Sequence, residues 1–86
     1  MSYYVYILQC SDTTLYTGIT TDPTRRLHEH NHTKRGAKYT SARRPVSMPY
    51  TEKAVDKSSA LKREYILRQL SRLAKLDLIA KDDKIV

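Results

Sequence analysis

The chain has 86 residues, no Phe or Trp and a single cysteine, with 16 Lys and Arg against 9 Asp and Glu for a net charge of +7. A chain of this length holds one domain, residues 1–86, with about 60–65% of its unfolded surface buried. The longest apolar run, Tyr3 to Leu8, is too short to span a bilayer, no charged leader precedes it, and Cys10 has no internal partner. A membrane protein and a disulfide scaffold are thereby excluded, and a cytoplasmic protein with a polyanionic partner is expected.

Tyr3–Gln9 and Leu15–Thr20 are rich in β-branched and aromatic residues, and Ser11-Asp12-Thr13 between them is turn material, so the two read as a hairpin. A three-residue loop pairs Cys10 with Thr14 and sets Tyr6 opposite Gly18. Tyr6 and Tyr16 then share one face as diagonal neighbours, about 7–8 Å apart at the backbone. Gly18 has no side chain there, which leaves a gap for a backbone or a phosphate.

Asp22-Pro23 supplies an N-cap and a proline at the first helical position, and predicts a helix over Pro23–Asn31. Arg26 and His30 lie one turn apart on it and share a face. Arginine suits a forked grip on phosphate, whereas Arg25 reads as solvated helix surface. His28, His30 and His32 alternate, so neighbours in the set point about 200° apart and do not form a zinc site. From His32 to Pro45 the chain is aperiodic and reads as an exposed loop containing Gly36. It is the most basic stretch, and its Lys34, Arg35, Lys38, Arg43 and Arg44 are expected to hold a nucleic-acid backbone.

Val46, Met48 and Tyr50 suggest a third strand, which Pro49 confines to a sheet edge or to a short length. Asp56 to Ser59 starts a helix whose Ala60, Leu61, Tyr65, Ile66, Leu67 and Leu70 form a broad apolar face. Ser71 caps a second segment containing Leu73, Leu76, Leu78 and Ile79. The order ββαβαα predicts an α/β (α+β) fold, with a small three-stranded, mostly antiparallel sheet and flanking helices. Glu64 falls between Ala60, Leu61 and Leu67 on the helical wheel, placing a carboxylate in the apolar arc. Such a group needs a metal or a cationic partner, and Arg68 one turn on is the structural alternative.

In order, Tyr4-Val5-Tyr6, Tyr16-Thr17-Gly18, Arg26, His30, Tyr39 and Glu64 resemble the GIY-YIG nuclease superfamily. The similarity runs over essentially the whole chain, including Gly36-Ala37-Lys38-Tyr39-Thr40 and the Leu61-to-Glu64 helix, and is greatest to the family's small stand-alone bacterial branch of uncharacterised proteins. The resemblance implies a site built from Tyr6, Tyr16, Gly18, Arg26, His30, Tyr39 and Glu64. In it Glu64 would hold one divalent cation, Mg2+ or Mn2+, which assists departure of the 3′ oxygen while water attacks phosphorus. Tyr16 is the first candidate for orienting or deprotonating that water and Tyr39 the alternative. Tyr4 and Val5 replace the Gly and Ile of the family's first motif, and an asparagine common near the family domain's end has no counterpart. The implied activity is a metal-dependent endonuclease of low sequence specificity acting on DNA, as a monomer, with any specificity supplied by an unknown protein partner. A non-catalytic nucleic-acid-binding domain of the same fold is the runner-up, and a small interaction module is the third reading.

Overall fold

Hairpin formation starts at the turn between the first two strands, β1 (Tyr3–Gln9) and β2 (Leu15–Thr20). Cys10 N–H donates to Thr14 O at 2.9 Å and Thr13 N–H to Cys10 O at 2.9 Å. Thr13 takes a left-handed φ of 68°. The strain this places on a β-branched residue is offset by Asp12 Oδ1, which accepts from Thr14 N–H at 3.1 Å and from the Thr14 hydroxyl at 2.6 Å. The resulting register sets Tyr6 opposite Gly18 and Leu8 opposite Tyr16, as the loop length requires.

The structure, a computed structural model, describes residues 2–83. After the hairpin come α1 (Pro23–His32), α2 (Lys38–Ser41), β3 (Ser47–Ala54), α3 (Lys57–Gln69) and α4 (Arg72–Asp83). The sheet is antiparallel throughout, in the order β2-β1-β3, so β1 is central and buries Val5 and Ile7 on one face and Tyr6 and Leu8 on the other. β3 is an edge strand, as Pro49 demands. Between the pairs Ile7–Tyr50 and Gln9–Ser47 the register shifts, leaving Met48 and Pro49 opposite Leu8. The missing proline N–H is absorbed by that bulge.

One sheet face packs Val5, Ile19 and Tyr50 against Ala60, Leu67, Leu70 and Leu78 of the α3–α4 layer. On the opposite face, Tyr6, Leu8, Cys10 and Val46 form a core with Tyr16, Leu27 and Met48, covered by α1. Asp22 caps α1 by accepting from Arg25 N–H at 3.1 Å. Asp56 caps α3 through Ser59 N–H at 2.8 Å, and Ser71 caps α4 through Ala74 N–H at 3.2 Å. The apolar face of α3 is narrower than its composition suggests. Ala60 and Leu67 are fully buried while Leu61, Tyr65 and Ile66 are exposed, because a helix lying on a narrow sheet covers only one stripe.

The segment from His32 to Pro45 departs from the expected exposed loop. It contains α2 and is laced to α1. Asn31 clasps Val46 from both sides, its Nδ2 donating to Val46 O at 2.9 Å and its Oδ1 accepting from Val46 N–H at 2.8 Å. A Cβ on Gly36 would stand 2.8 Å from His30 Cα and 2.9 Å from Glu29 O, so only glycine lets the chain approach α1 this closely. Arg44 donates from Nε to His30 O at 2.6 Å and from Nη2 to Thr33 O. Carbonyls at a helix end have no partner within the helix, and Arg44 satisfies them here. Among the described residues no helix is long and apolar enough to cross a membrane.

Candidate active site

Gly18 positions the central side chain of the site. A Cβ at that position would stand 2.5 Å from Tyr6 Cζ and closer still to its hydroxyl, so the absence of a side chain lets the Tyr6 ring lie across β2. The gap predicted beside Gly18 is therefore filled by Tyr6 itself. Its ring is buried, and its hydroxyl lies 2.9 Å from His30 Nε2 and 3.4 Å from Arg26 Nε. Arg26 and His30, one turn apart on α1, thus converge on the Tyr6 oxygen.

His30 is fully buried and bonded at both ring nitrogens, with Thr40 Oγ1 2.8 Å from Nδ1. The Thr40 hydroxyl donates to Ala37 O at 2.9 Å. That orientation assigns the imidazole proton to Nδ1, donated to Thr40, and leaves Nε2 to accept from Tyr6. The competing approach of Ala37 N–H to Nδ1 is longer, at 3.4 Å. Thr40, also fully buried, fixes the imidazole from behind. Burial first, and then the charges of Arg26 and Arg44 against the opposing Glu29, push the His30 pKa down to about 4. Burial also raises the Tyr6 pKa above the usual phenol value. Arg26 opposes the rise, and the charges of Tyr16 and Glu64 add to it. At neutral pH His30 is an uncharged acceptor and Tyr6 a protonated phenol.

This pair makes a pH prediction. A histidine whose pKa is lower in the folded than in the unfolded chain favours the fold fully above the unfolded value of 6.5, and the benefit is lost as pH falls toward about 4. Urea midpoints should decline over that window, and the His30 ring signals in NMR should titrate near pH 4 in the folded protein. An ordinary imidazole midpoint in the folded state would contradict the buried, bonded geometry.

Tyr16 packs its ring edge-on to His30, with centroids 5.7 Å apart, and stacks on Tyr39 at 5.8 Å and 22°. The Arg43 guanidinium lies over the Tyr39 ring, 4.0 Å from its centroid. Tyr16 is half-buried, and its hydroxyl has no hydrogen-bond partner among the described residues. Arg26 is held from behind as well. Its Nη1 donates to Glu29 Oε1 at 3.0 Å and to Arg35 O at 2.8 Å, which leaves Nη2 as the free arm of the fork.

Glu64 sits on the buried stripe of α3 between Ala60 and Leu67. Its side chain is 17% exposed and pairs with Arg68 at 3.6 Å. The apolar-arc position holds, and the ion pair with Arg68, the sequence's alternative to a metal, is present. The Tyr6 pKa is raised chiefly by burial, and the charge of Glu64 adds least to it. Among the described residues no cluster of three or more His, Cys, Asp or Glu side chains could hold a metal. A cation here would have one protein carboxylate. That fits Mg2+, which keeps most of its water and binds through one or two carboxylates plus substrate phosphates.

The five cations of the basic stretch have different surroundings. Lys34, Arg35 and Lys38 are exposed. Arg43 pairs with Asp12 at 3.1 Å and donates to Tyr39 O at 2.9 Å, while Arg44 caps α1. Treating all five as exposed loop charges is corrected accordingly. Sequence reasoning also passed over Thr40 and Glu29, the residues that hold His30 and Arg26. The signal for Thr40 was its place beside Tyr39 in the Gly36-to-Thr40 motif.

A family model described as the GIY-YIG catalytic domain matches residues 2–77. A UPF0213 protein of Desulfotalea psychrophila is 51% identical over 96% of this chain and 76% of its own length. One from the archaeon Halobacterium salinarum is 52% identical over 85% and 94%, so the relatives extend beyond bacteria. Solution NMR structures of a UPF0213 protein from Bacillus halodurans and of a protein from E. faecalis superpose with TM-scores of 0.61 and 0.63. They are 40% and 44% identical, cover 99% and 96% of this chain, and are themselves covered over 89% and 88%.

Proposed function

The chain belongs to the GIY-YIG catalytic domain family, and from that premise we propose that it is a metal-dependent endonuclease hydrolysing phosphodiester bonds of DNA with low sequence specificity. The observation that carries the reading is the convergence of His30 Nε2 and Arg26 Nε on the Tyr6 hydroxyl; in this reading Glu64 supplies the carboxylate. Nothing in a merely structural core requires a permanent cation, a neutral imidazole and a phenol to meet at one oxygen.

Each residue then has a role that its surroundings support. The unpartnered Tyr16 hydroxyl orients the attacking water. A proton taken up at the Tyr6 oxygen has an onward path to His30 Nε2, an acceptor that is neutral at working pH. Arg26, with its backing from Glu29 and Arg35 O, turns its free Nη2 toward the phosphoryl oxygens as charge develops on them. A divalent ion held by Glu64 would neutralise charge on the departing 3′ oxygen. Exposed Lys34, Arg35 and Lys38 contact backbone phosphates, which carry no sequence information. A non-catalytic nucleic-acid-binding domain is the second reading, favoured by the Glu64–Arg68 ion pair, which occupies the carboxylate a metal needs.

Arg26→Lys separates catalysis from docking. Lysine keeps the charge but loses the fork that reaches Tyr6, Glu29 and Arg35 O together. Cleavage of supercoiled plasmid with Mg2+ or Mn2+ should slow by roughly 10²-fold or more, the scale of removing one preorganised electrostatic donor, while DNA affinity changes by only a few-fold. Equal losses in rate and affinity would reassign Arg26 to simple docking.

A further inference from the structure

A cleft of about 250 Å3 opens beside Tyr39, lined by Thr14 and Leu15 at the start of β2, by Tyr39 of α2, and by Arg72 and Lys75 in the first turn of α4. None of its walls is acidic, and the first turn of α4 contains no acid. Arg72 Nη1 donates to Thr13 O at 2.6 Å, which pins one arm of the guanidinium to the hairpin turn and leaves other N–H groups unused. Lys75, half-buried, makes no ion pair among the described residues. From sequence α4 reads only as an apolar packing segment, and neither cation receives a role.

Tyr39 ties this cleft to the catalytic centre. Its ring stacks on Tyr16 at 5.8 Å, and Tyr16 in turn abuts His30 at 5.7 Å. The cleft therefore lies one aromatic ring out from the residues proposed to act on the phosphodiester. Tyr39 is stacked on Tyr16 and already carries the Arg43 guanidinium over its ring. Its π surface is thus engaged within the protein, which favours a phosphate over a stacked base as the occupant.

We propose that the cleft between the hairpin turn, α2 and the start of α4 is a second phosphate subsite, in which Arg72 and Lys75 hold a backbone phosphate of the strand bound at the catalytic centre. The proposal rests on the nuclease reading. It adds a grip from a part of the chain far in sequence from the His32–Pro45 stretch, so the strand is held on both sides of the Tyr16–Tyr39 stack. Arg72, tied to Thr13 O, holds a fixed position, and Lys75 supplies a flexible point charge beside it.

The test is binding of labelled duplex DNA at several salt concentrations, in chelator so that no cleavage intervenes. Losing the neutralisation of one phosphate should flatten the slope of log affinity against log salt by about 0.9. Because Arg72 and Lys75 share one phosphate, Lys75→Gln should flatten it by part of that amount, Lys75→Arg should restore the wild-type slope, and Arg72→Gln combined with Lys75→Gln should flatten it by the full value of about 0.9. Lys62→Gln, on the far apolar side of α3 beside Leu61 and Tyr65, should leave it unchanged. An unchanged slope for Lys75→Gln overturns the subsite while leaving the nuclease reading intact. Equal flattening by Lys62→Gln also overturns it, because the effect would then be diffuse charge. Wild-type protein that does not bind DNA overturns both readings.

Discussion

Gly18→Ala displaces the Tyr6 ring and breaks its hydrogen bond to His30. The new methyl would stand 2.5 Å from Tyr6 Cζ, inside any tolerated carbon–carbon approach, and the obstruction is a ring held by a buried bond rather than the free end of a flexible chain. Removing a glycine from the unfolded ensemble gains about 0.4–1 kcal/mol. Overpacking a buried site costs about 1–3 kcal/mol, and losing a buried hydrogen bond adds about 0.5–1.5 kcal/mol. The net sign is destabilising, and cleavage should be lost with the Tyr6 geometry even at temperatures where the variant stays folded. Urea denaturation of Gly18→Ala, Tyr6→Leu and the double variant tests the cause directly. If the clash is the mechanism, the double variant is more stable than the sum of the single losses predicts, with a coupling on the scale of about 0.5–3 kcal/mol for residues that touch. Strict additivity would show that Gly18 serves something other than room for Tyr6.

How much of this was legible in the sequence depended on whether the determining interactions were local. The Tyr6–Gly18 pairing was readable because loop length fixes the parity of a hairpin register. Asp22-Pro23 marked the start of α1, and the helix ends at His32, one residue past the predicted Asn31. Arg26 and His30 shared a predicted face, but spacing could not say that they meet at a phenol on β1. Four residues are too few for a helical period, so α2 had no sequence signature. Thr40 gains its role only when the turn folds back onto His30. Arg44 looked like one more surface cation because the carbonyls it satisfies belong to a helix end more than ten positions earlier. The outer residues Leu61, Tyr65 and Ile66 were drawn into the predicted apolar face because composition does not report the width of the sheet a helix lies on. Arg72 and Lys75 were invisible for the same reason, since what places them beside Tyr39 is the return of α4 across the hairpin turn.

Glu64→Gln is the second large effect. The substitution keeps shape and hydrogen-bonding capacity while removing the charge that a divalent cation requires. The cost to the fold is small, since the exposed-side pair with Arg68 is of the i,i+4 kind, worth about 0.3–0.5 kcal/mol. Catalysis carries the loss, because the proposed function assigns the divalent cation to this carboxylate and no cluster of alternative ligands stands among the described residues. A rate loss of roughly 10²-fold or more is expected, as for other single electrostatic stabilisers of a transition state. Purified wild-type protein and Glu64→Gln, prepared in parallel and shown to share one far-UV spectrum and urea midpoint within experimental error, are incubated with supercoiled plasmid and Mg2+ or Mn2+, with and without chelator. The account predicts nicked plasmid from the wild type, none in chelator, and strongly suppressed nicking by Glu64→Gln. Nicking by Glu64→Gln at the wild-type rate, or wild-type protein that binds plasmid and leaves it intact with either metal, would contradict it.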